Sequence, residues 1–256
     1  MKITHDNIQL YYEEHGKGPH TYVFVHGTGG NHQHMQSLVA HFSKHNRVIT
    51  VDLRGHGHSD KPKTDYRIET FAKDIHHICT HLKATKPILV GFSMGGNIVI
   101  ELASRYPGFA AAIIILDSAF LYTSPIQAVM LQFLEKFRHE NFEACIEQIV
   151  DISVIPTDRC RQEIKTTFLN TPHYVWASAF ESMIAWDKQA ASKLKNCTLP
   201  ILYIEAANQV VDIAKLKELC PQTVHGKVVC SGHCVTLEVP DQVNAMIERF
   251  VQCFVS

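Results

Sequence analysis

The chain has 256 residues, of which 46% are hydrophobic, and its formal net charge is −1 at pH 7. This length and composition are typical of a single domain with a sizeable core. The balanced charge lacks the basic surface of a nucleic-acid-binding protein and the polybasic runs that attract anionic membranes, so neither partner is expected.

The cellular setting is inferred from segments that the sequence lacks. Residues 1–6 do not show the charged and then apolar pattern of a secretory signal. The longest apolar run, residues 110–116, is too short to cross a bilayer. The eight cysteines are scattered and form no CxxC pair, which favours reduced thiols over disulfides. We therefore expect a cytoplasmic protein without a membrane span.

Short apolar runs typical of β-strands recur along the chain. Residues 8–13 alternate like an edge strand, and residues 21–25 follow after a break, so these two segments are expected to form a hairpin. The later runs are nearly continuous, which is typical of strands buried on both faces of a parallel sheet. They cover residues 48–51, 88–90, 113–116, 201–204 and 227–229.

Segments with apolar residues at three- and four-residue spacing lie between these runs, as in amphipathic helices. They cover residues 34–44, 68–82, 97–106 and 243–254. The alternation of strands and helices predicts an α/β fold with a doubly wound, mostly parallel sheet.

Residues 119–196 break this alternation, because no strand-like run occurs among their helical patterns. The predicted helices of this segment cover residues 127–137, 142–152, 158–168 and 174–186, with Pro156 and Pro172 between them. We interpret the segment as an all-helical cap, inserted after the strand that ends at Asp117. Residues 1–118 and 197–256 then form the core, and the cap makes one structural unit with it.

A glycine-rich turn at residues 91–95 (GFSMG) follows a predicted strand and opens a predicted helix. That is the context of the G-x-S-x-G motif, in which a tight turn presents a serine hydroxyl at the end of a strand. The flanking glycines leave room for the close approach of neighbouring backbone. Ser93 is therefore the candidate nucleophile of a hydrolytic enzyme.

A second glycine-rich loop, residues 26–30 (HGTGG), follows an earlier predicted strand. It lacks the spacing of phosphate-binding loops. Together with the turn around Ser93 it is similar to an oxyanion loop, so the backbone N–H groups of Thr28 and Met94 are expected to face the oxyanion of a tetrahedral intermediate. The ring of His26 is expected to brace this loop rather than to take part in catalysis.

A serine nucleophile needs a general base, and imidazole is the natural one near neutral pH. His233 follows the last predicted strand and precedes the last predicted helix, and it alone of the 17 histidines has this placement. The other histidines have no acidic or cysteine partners at metal-ligand spacing, so no metal site is predicted. His233 is therefore the candidate base.

These motifs, together with residues 52–59 (DLRGHGHS), resemble those of the α/β-hydrolase superfamily, in the branch with small helical caps. That branch includes serine esterases, lactonases, carbon–carbon bond hydrolases and cofactor-free haloperoxidase-like enzymes. The motifs stand in the family's order and cover essentially the whole chain outside the cap. The resemblance implies the α/β-hydrolase fold and a Ser-His-acid triad, and this chemistry needs no cofactor.

The triad acid is where this chain departs from the family pattern. Most members carry the acid after the strand that follows the cap, in a pattern like P-x-L-x-I-x-G-x-x-D. This chain has Gln209 at that position, with Asn208 beside it. Neither side chain carries the negative charge that stabilises an imidazolium.

Three carboxylates are candidates for the missing acid. Asp117 ends the strand that follows the Ser93 helix, where some relatives, such as certain haloalkane dehalogenases, place their acid. Asp212 lies just before a predicted helix, where an Asp is a natural N-cap. Glu205 should lie near the end of the preceding strand. We favour Asp117 and keep Asp212 and Glu205 as alternatives.

The cap supplies many aromatic and methionine side chains, of which some pack onto the core and others line an apolar pocket. They are Phe120, Tyr122, Met130, Phe133, Phe137, Tyr174, Trp176, Phe180, Met183 and Trp186. The expected substrate is a small or medium hydrophobic ester, thioester or lactone, cleaved through an acyl-enzyme. The alternatives are carbon–carbon bond hydrolysis, a cofactor-free haloperoxidase-like reaction, or a ligand-binding sensor with vestigial turnover.

Overall fold

A single eight-stranded sheet is the centre of the computed structural model, which describes residues 1–139, 141–155 and 160–255. The strands are β1 (Lys2–His5), β2 (Ile8–His15), β3 (Thr21–Val25), β4 (Arg47–Asp52), β5 (Ile88–Phe92), β6 (Ala112–Leu116), β7 (Ile201–Glu205) and β8 (Thr223–Lys227). Their order across the sheet is β1-β2-β4-β3-β5-β6-β7-β8. The strands from β4 to β8 in this order are parallel, whereas β1 and β2 are antiparallel to their neighbours. The predicted mostly parallel sheet is thus confirmed.

Helices cover both faces of the sheet. They are α1 (Gln36–Phe42), α2 (Ile68–His81), α3 (Met94–Arg105), α4 (Ser124–His139), α5 (Phe142–Ser153), α6 (Arg161–Leu169), α7 (His173–Lys195), α8 (Ile213–Leu219), α9 (Val235–Glu238) and α10 (Pro240–Phe254). Helix α2 packs against α3, and α1 packs against α10, as expected for the two helical layers of a doubly wound fold. In the part of the chain that is described, no helix combines the length and apolarity needed to cross a membrane.

Burial along the strands explains why the central ones form at these positions. All five residues of β5, of β6 and of β7 are buried, as their continuous aliphatic sequences require of strands covered on both faces. Strand β2 instead buries alternate residues, so only one of its faces meets the core. The carboxyl ends of β5 and β6 lie side by side at the middle of the sheet, where parallel α/β folds bind ligands.

The predicted hairpin between residues 8–13 and 21–25 is wrong. Strand β2 pairs with β1 and β4, and β3 lies between β4 and β5. The hairpin partner is instead β1, joined to β2 by Asp6 and Asn7, which both have positive φ angles of 49° and 60°. Asp and Asn tolerate this conformation, which two-residue hairpin turns of this kind require. Strand β1 was missed because its short, polar sequence has no apolar alternation.

The last strand also differs from the prediction. Strand β8 spans Thr223–Lys227 rather than residues 227–229, and its residues after Thr223 are only partly buried or exposed. As the outermost strand it needs few apolar side chains, so its sequence carries little signal. Val228, which follows it, is buried and still donates its N–H to the carbonyl of Glu205 at 2.9 Å.

Helices α4 to α7 lie between β6 and β7, within the segment interpreted as the cap. Pro156 and the first residues of the predicted helix at 158–168 lie outside the described residues. Helix α7 is fixed to α3 through Glu101, whose fully buried carboxylate accepts Nε1 of Trp186 at 2.9 Å and Nζ of Lys193 at 2.6 Å. Buried carboxylates require such partners, and these ones attach the cap helix to the helix that begins at Ser93.

Candidate active site

Ser93 occupies a strained turn between β5 and α3. It is the N-cap of α3, with φ 53° and ψ −124°, a region that costs a non-glycine residue about 1–3 kcal/mol. Its N–H donates to the carbonyl of Leu116 at 3.0 Å, and its own carbonyl accepts the N–H of Gly96 at 2.8 Å. These bonds hold the turn, and the hydroxyl consequently faces a cavity beneath the cap.

Two glycines make this turn possible by allowing backbone to approach closely. A Cβ at Gly91 would lie 2.2 Å from the carbonyl oxygen of Gly95, and a Cβ at Gly95 would lie 2.2 Å from that of Val25. Both contacts involve backbone atoms, which cannot move aside as a flexible side chain can. The glycine spacing of the motif therefore reflects packing of α3 against β3 and β5.

A hydrogen-bonded chain joins Ser93 to His233 and Asp117. Nε2 of His233 lies 2.9 Å from Oγ of Ser93, and Nδ1 of His233 lies 2.7 Å from Oδ2 of Asp117. An ionised carboxylate only accepts, so Nδ1 carries the proton and donates to Asp117. In the neutral ring Nε2 is then free to accept the hydroxyl proton of Ser93. This is the geometry that a nucleophile, a general base and an orienting acid require.

Asp117 is held firmly at the end of β6. It is only 2% exposed, its N–H donates to the carbonyl of Ile204 at 2.8 Å, and its Oδ1 accepts the N–H of Ala206 at 2.9 Å. The second oxygen, Oδ2, is left for His233. The carboxylate is therefore aimed by the main chain of the neighbouring strand and its following loop.

The other two candidate acids are engaged elsewhere. Oδ1 of Asp212 accepts the N–H of Lys215 at 2.9 Å and so caps α8. Glu205 lies 3.0 Å from Nε2 of His225 on the adjacent strand. The structure thus brings Asp117, and neither Asp212 nor Glu205, to the imidazole of His233.

Thr28 and Met94 line the same cavity as Ser93. Within the described residues, their main-chain N–H groups donate to no other group. The two residues touch, since the Thr28 hydroxyl donates to Sδ of Met94 at 3.3 Å. Met94 is also the first residue of α3, where the helix dipole favours developing negative charge. Both residues therefore keep an uncommitted main-chain donor at positions that line the Ser93 cavity.

His26 lies behind the oxyanion loop and does not line the cavity. Its Nδ1 donates to the carbonyl of Gly27 at 2.7 Å, and its Nε2 accepts the N–H of Leu53 at 3.1 Å. Both ring nitrogens are thus used to tie the loop to the segment after β4. Complete burial lowers the pKa of His26 to about 3, so the ring is neutral at physiological pH.

The cavity above Ser93 has a volume of about 300 Å³ and a mostly apolar lining. From the cap, Met130, Phe133, Trp176, Phe180 and Met183 of the expected aromatic and methionine set contribute to it. Phe120, Phe137 and Trp186 are buried but do not line it, so they serve packing. Sequence periodicity could not separate these two groups, because both are apolar residues on buried helix faces.

Three polar residues that the sequence did not single out for the site also line the cavity. They are Asn97, Ser153 and Asn208. The amide nitrogen of Asn97 donates to the carbonyl of Ala119 at 3.0 Å, which fixes its orientation. Asn97 lies four residues after Ser93, one helical turn along α3, and this spacing is the signal that would have identified it.

One set of three possible metal ligands occurs among the described residues. Atoms of His32, Asp52 and His58 lie within 4.8 Å of one another. The Asp52 carboxylate, however, already accepts the main-chain N–H groups of His32 and His58, both at 2.7 Å. These bonds explain the cluster as an anchor for the loop after β4, and none of its members lines the Ser93 cavity.

Comparison with known proteins assigns the family. A family profile described as the alpha/beta hydrolase fold matches residues 23–240. The AB hydrolase superfamily protein YisY of Bacillus subtilis is 28% identical, over 96% of this chain and 97% of its own. The enol-lactonase from Burkholderia xenovorans LB400 has a TM-score of 0.88 at 23% identity, over 98% of this chain and 100% of that one. A thermophilic esterase from Thermogutta terrifontis has a TM-score of 0.86 at 22% identity, over 100% and 99%. The structural likenesses establish the fold, and the profile match shows that this chain belongs to the α/β-hydrolase superfamily.

Proposed function

We propose that this protein is a serine hydrolase that cleaves small or medium hydrophobic esters, thioesters or lactones through an acyl-enzyme. The observation that carries the proposal is the chain of hydrogen bonds from Asp117 through His233 to Ser93, at 2.7 and 2.9 Å, beneath an apolar cavity. Neither a structural role nor simple ligand binding requires a strained serine beside an oriented imidazole.

In the proposed reaction, Nε2 of His233 takes the Ser93 proton as Oγ attacks the substrate carbonyl. The N–H groups of Thr28 and Met94 stabilise the oxyanion, and each such donor is typically worth about 3–4 kcal/mol in the transition state. The imidazolium, stabilised by Asp117, then protonates the leaving group. A water molecule, activated by the same imidazole, hydrolyses the acyl-enzyme and restores Ser93.

The lining of the cavity supports a neutral substrate. Asp117 and His233 are its only titratable members within the described residues, and no Lys or Arg side chain is among them. A carboxylate on the substrate would therefore lose its hydration without gaining a cation. The apolar surface instead favours an alkyl or aryl group next to the reacting carbonyl.

The first test is covalent labelling with a fluorophosphonate, which reacts with an activated serine. We expect stoichiometric labelling that maps to Ser93 in the folded protein, and none after Ser93→Ala or after heat denaturation. Failure of the folded protein to label would contradict the proposal and would favour a ligand-binding role.

The second test compares substrates of matched length. We expect p-nitrophenyl butanoate to be hydrolysed with a kcat/KM roughly tenfold or more above that of p-nitrophenyl hydrogen succinate, since an unpaired charge is costly in this cavity. Preference for the succinate would contradict the proposed substrate class. Turnover of diketones without turnover of esters would instead point to carbon–carbon bond hydrolysis.

A further inference from the structure

A second concave space lies on the cap beside the catalytic cavity. It is lined by Val129, Gln132, Phe133 and Lys136 from α4 and by Gln148, Asp151 and Ile152 from α5. We call it the α4–α5 groove. Its volume is about 420 Å³, and it contains none of the residues of the proposed catalytic machinery.

The groove and the catalytic cavity share a wall. Val129, Phe133 and Ile152 line both spaces, so these three side chains are the partition between them. Phe133 is only 8% exposed, whereas Val129 and Ile152 are 41% and 59% exposed. The partition therefore runs from a buried ring to two aliphatic side chains at the protein surface, and its outer part is the mouth of the catalytic cavity.

Three of the four polar side chains of the groove, those of Lys136, Gln148 and Asp151, already have partners. Nζ of Lys136 hydrogen-bonds Oε1 of Gln148 across the groove and lies 5.9 Å from the centre of the Phe133 ring. The Asp151 carboxylate pairs with Arg161 of α6. The apolar side chains of the partition cannot form such bonds. The exposed surface of Val129 and Ile152 is in contact with water, which is unfavourable in free energy.

We propose that the α4–α5 groove binds the distal part of a long, unbranched hydrocarbon chain whose ester carbonyl lies at Ser93. This inference rests on the proposed hydrolase function and extends its substrate class from small or medium esters to esters with one long, unbranched chain. The catalytic cavity alone is at the lower end of the range of about 300–1,000 Å³ found for ligand sites. The groove more than doubles the space available to one chain.

An unbranched chain fits this arrangement best. It can pass a partition made of one aromatic and two aliphatic side chains without requiring the α4 and α5 helices to separate widely. Lys136 and Gln148 line the groove but not the catalytic cavity, and the Lys136 ammonium is hydrogen-bonded to the Gln148 amide. A chain that crosses the partition also covers Val129 and Ile152, the apolar side chains that are otherwise exposed at the mouth.

The test is the dependence of kcat/KM on chain length, measured below micelle formation with p-nitrophenyl esters from acetate to dodecanoate. We expect kcat/KM to rise by up to roughly fourfold for each methylene group that becomes buried, and to keep rising beyond hexanoate. Alkyl acetates of increasing length form a parallel series, which distinguishes a chain on the acyl side from one on the alcohol side.

Gln132→Trp fills the groove from a position that does not line the catalytic cavity. We expect it to lower the ratio of kcat/KM for the longest ester to that for butanoate by about tenfold or more in one of the two series, which is the loss of about two buried methylenes. Leu131→Trp is the matched control, because Leu131 is adjacent on α4, is 45% exposed and lines neither space. It should keep the wild-type ratio.

The outcomes separate the two proposals. If Gln132→Trp and Leu131→Trp give the same chain-length profile in both series, or if the wild-type kcat/KM stops rising at or before hexanoate, the groove proposal is overturned while the hydrolase proposal stands. If no ester is hydrolysed and the fluorophosphonate does not label Ser93, the hydrolase proposal itself fails.

Discussion

Ser93 and Asp117 share an unusual backbone conformation at the ends of two neighbouring strands. Their φ angles are 53° and 44°, and each N–H donates to a carbonyl at the end of the neighbouring strand, that of Leu116 or of Ile204. The sheet ladder thus continues one residue beyond β5 and β6 and supports two strained residues. This backbone conformation directs both side chains towards the loop of His233. Ser93 and Asp117 can therefore both hydrogen-bond to a residue that lies more than 100 positions later in the chain.

We expect Asp117→Asn to lower kcat by about three to four orders of magnitude. An asparagine amide can donate to Nδ1 of His233, which moves the ring proton to Nε2 and leaves nothing to accept the proton of Ser93. The measurement is kcat on p-nitrophenyl butanoate, together with the rate of fluorophosphonate labelling, which should fall in parallel.

Asp212→Asn is the matched control for this variant. Asparagine caps helices as well as aspartate does, so α8 should stay folded and kcat should stay near the wild-type value. If Asp117→Asn retained most of its activity while Asp212→Asn or Glu205→Gln lost it, the acid would have to be assigned to that other residue.

Most of this site could be predicted from the sequence, because much of it is formed by residues that are close together in the chain. A strand, a tight glycine turn and a helix are contiguous in the chain, so Ser93 and the N–H of Met94 are readable from residues 88–97. The sequence only favoured Asp117 over the other candidate acids. Its contact with His233 depends on β6 lying beside β5 and on the position of the loop that carries His233, which are tertiary features. Cavity residues such as Asn208 carried no signal, since their orientation is set by tertiary packing.

At the scale of elements, the end of α5 is tied to the loop that carries His233. Oε1 of Glu238, on α9, accepts the N–H of Ile155 at 2.8 Å, and its Oε2 accepts the hydroxyl of Ser231 at 3.3 Å. The N–H of Cys234 donates to the carbonyl of Ser153 at 3.2 Å. Hydrogen bonds therefore join the cap to the loop that carries the imidazole, and we infer that Glu238 acts as a positioning residue.

We expect Glu238→Ala to lower kcat on p-nitrophenyl butanoate by roughly tenfold with a smaller change in KM, because the His233 loop loses one of its anchors. The unfolding free energy should fall by about 1–3 kcal/mol as buried polar groups lose their partner. Glu238→Gln keeps an acceptor and should recover part of kcat. The control is Glu218→Ala, at an exposed position of α8.

A purely structural role for Glu238 has a different signature. Stability would then fall in Glu238→Ala, but kcat and the rate of labelling at Ser93 would match those of wild type at a temperature where both proteins are folded. That result would contradict the positioning role.

The errors in predicting the elements occurred at the edges of the sheet. The central strands are buried on both faces, so their aliphatic runs are unmistakable. Strands β1 and β8 have neighbours on one side only, and their sequences, KITH and TVHGK, can remain largely hydrophilic. The pairing of β2 followed from the Asp6-Asn7 turn rather than from hydrophobic pattern, a signal that periodicity alone does not contain.

At the scale of the whole molecule, three neutral histidines are enclosed around the oxyanion loop and the loop after β4. His26, His34 and His56 are at most 1% exposed. Burial lowers the pKa of His26 to about 3 and those of His34 and His56 to about 4. His32 behaves oppositely: burial alone would lower its pKa, but the hydrogen bond and charge of Asp52 raise it overall.

These shifts make acid destabilise the fold in a defined window. Below about pH 6.5 the unfolded chain binds protons at the three histidines, whereas the folded chain does not. The free energy of unfolding therefore decreases as the pH is lowered from about 6.5 to about 4. One pH unit below the ordinary histidine pKa, each residue contributes about 1.4 kcal/mol of this loss, and His32 offsets part of it. Asp52, whose pKa is lowered to about 2, affects stability only in stronger acid.

We expect His34→Leu to reduce the loss of unfolding free energy between about pH 7.5 and 5.5 by roughly 1 kcal/mol, measured by urea denaturation. The ring is suited to this replacement because its Nε2 has no hydrogen-bond partner among the described residues, so leucine removes the titration without removing a bond at that atom. His45→Leu, at an exposed position, should leave the pH dependence unchanged. An equal pH dependence in wild type and His34→Leu would mean that His34 binds protons alike in the folded and unfolded protein, so that its burial does not contribute to the loss of stability in acid.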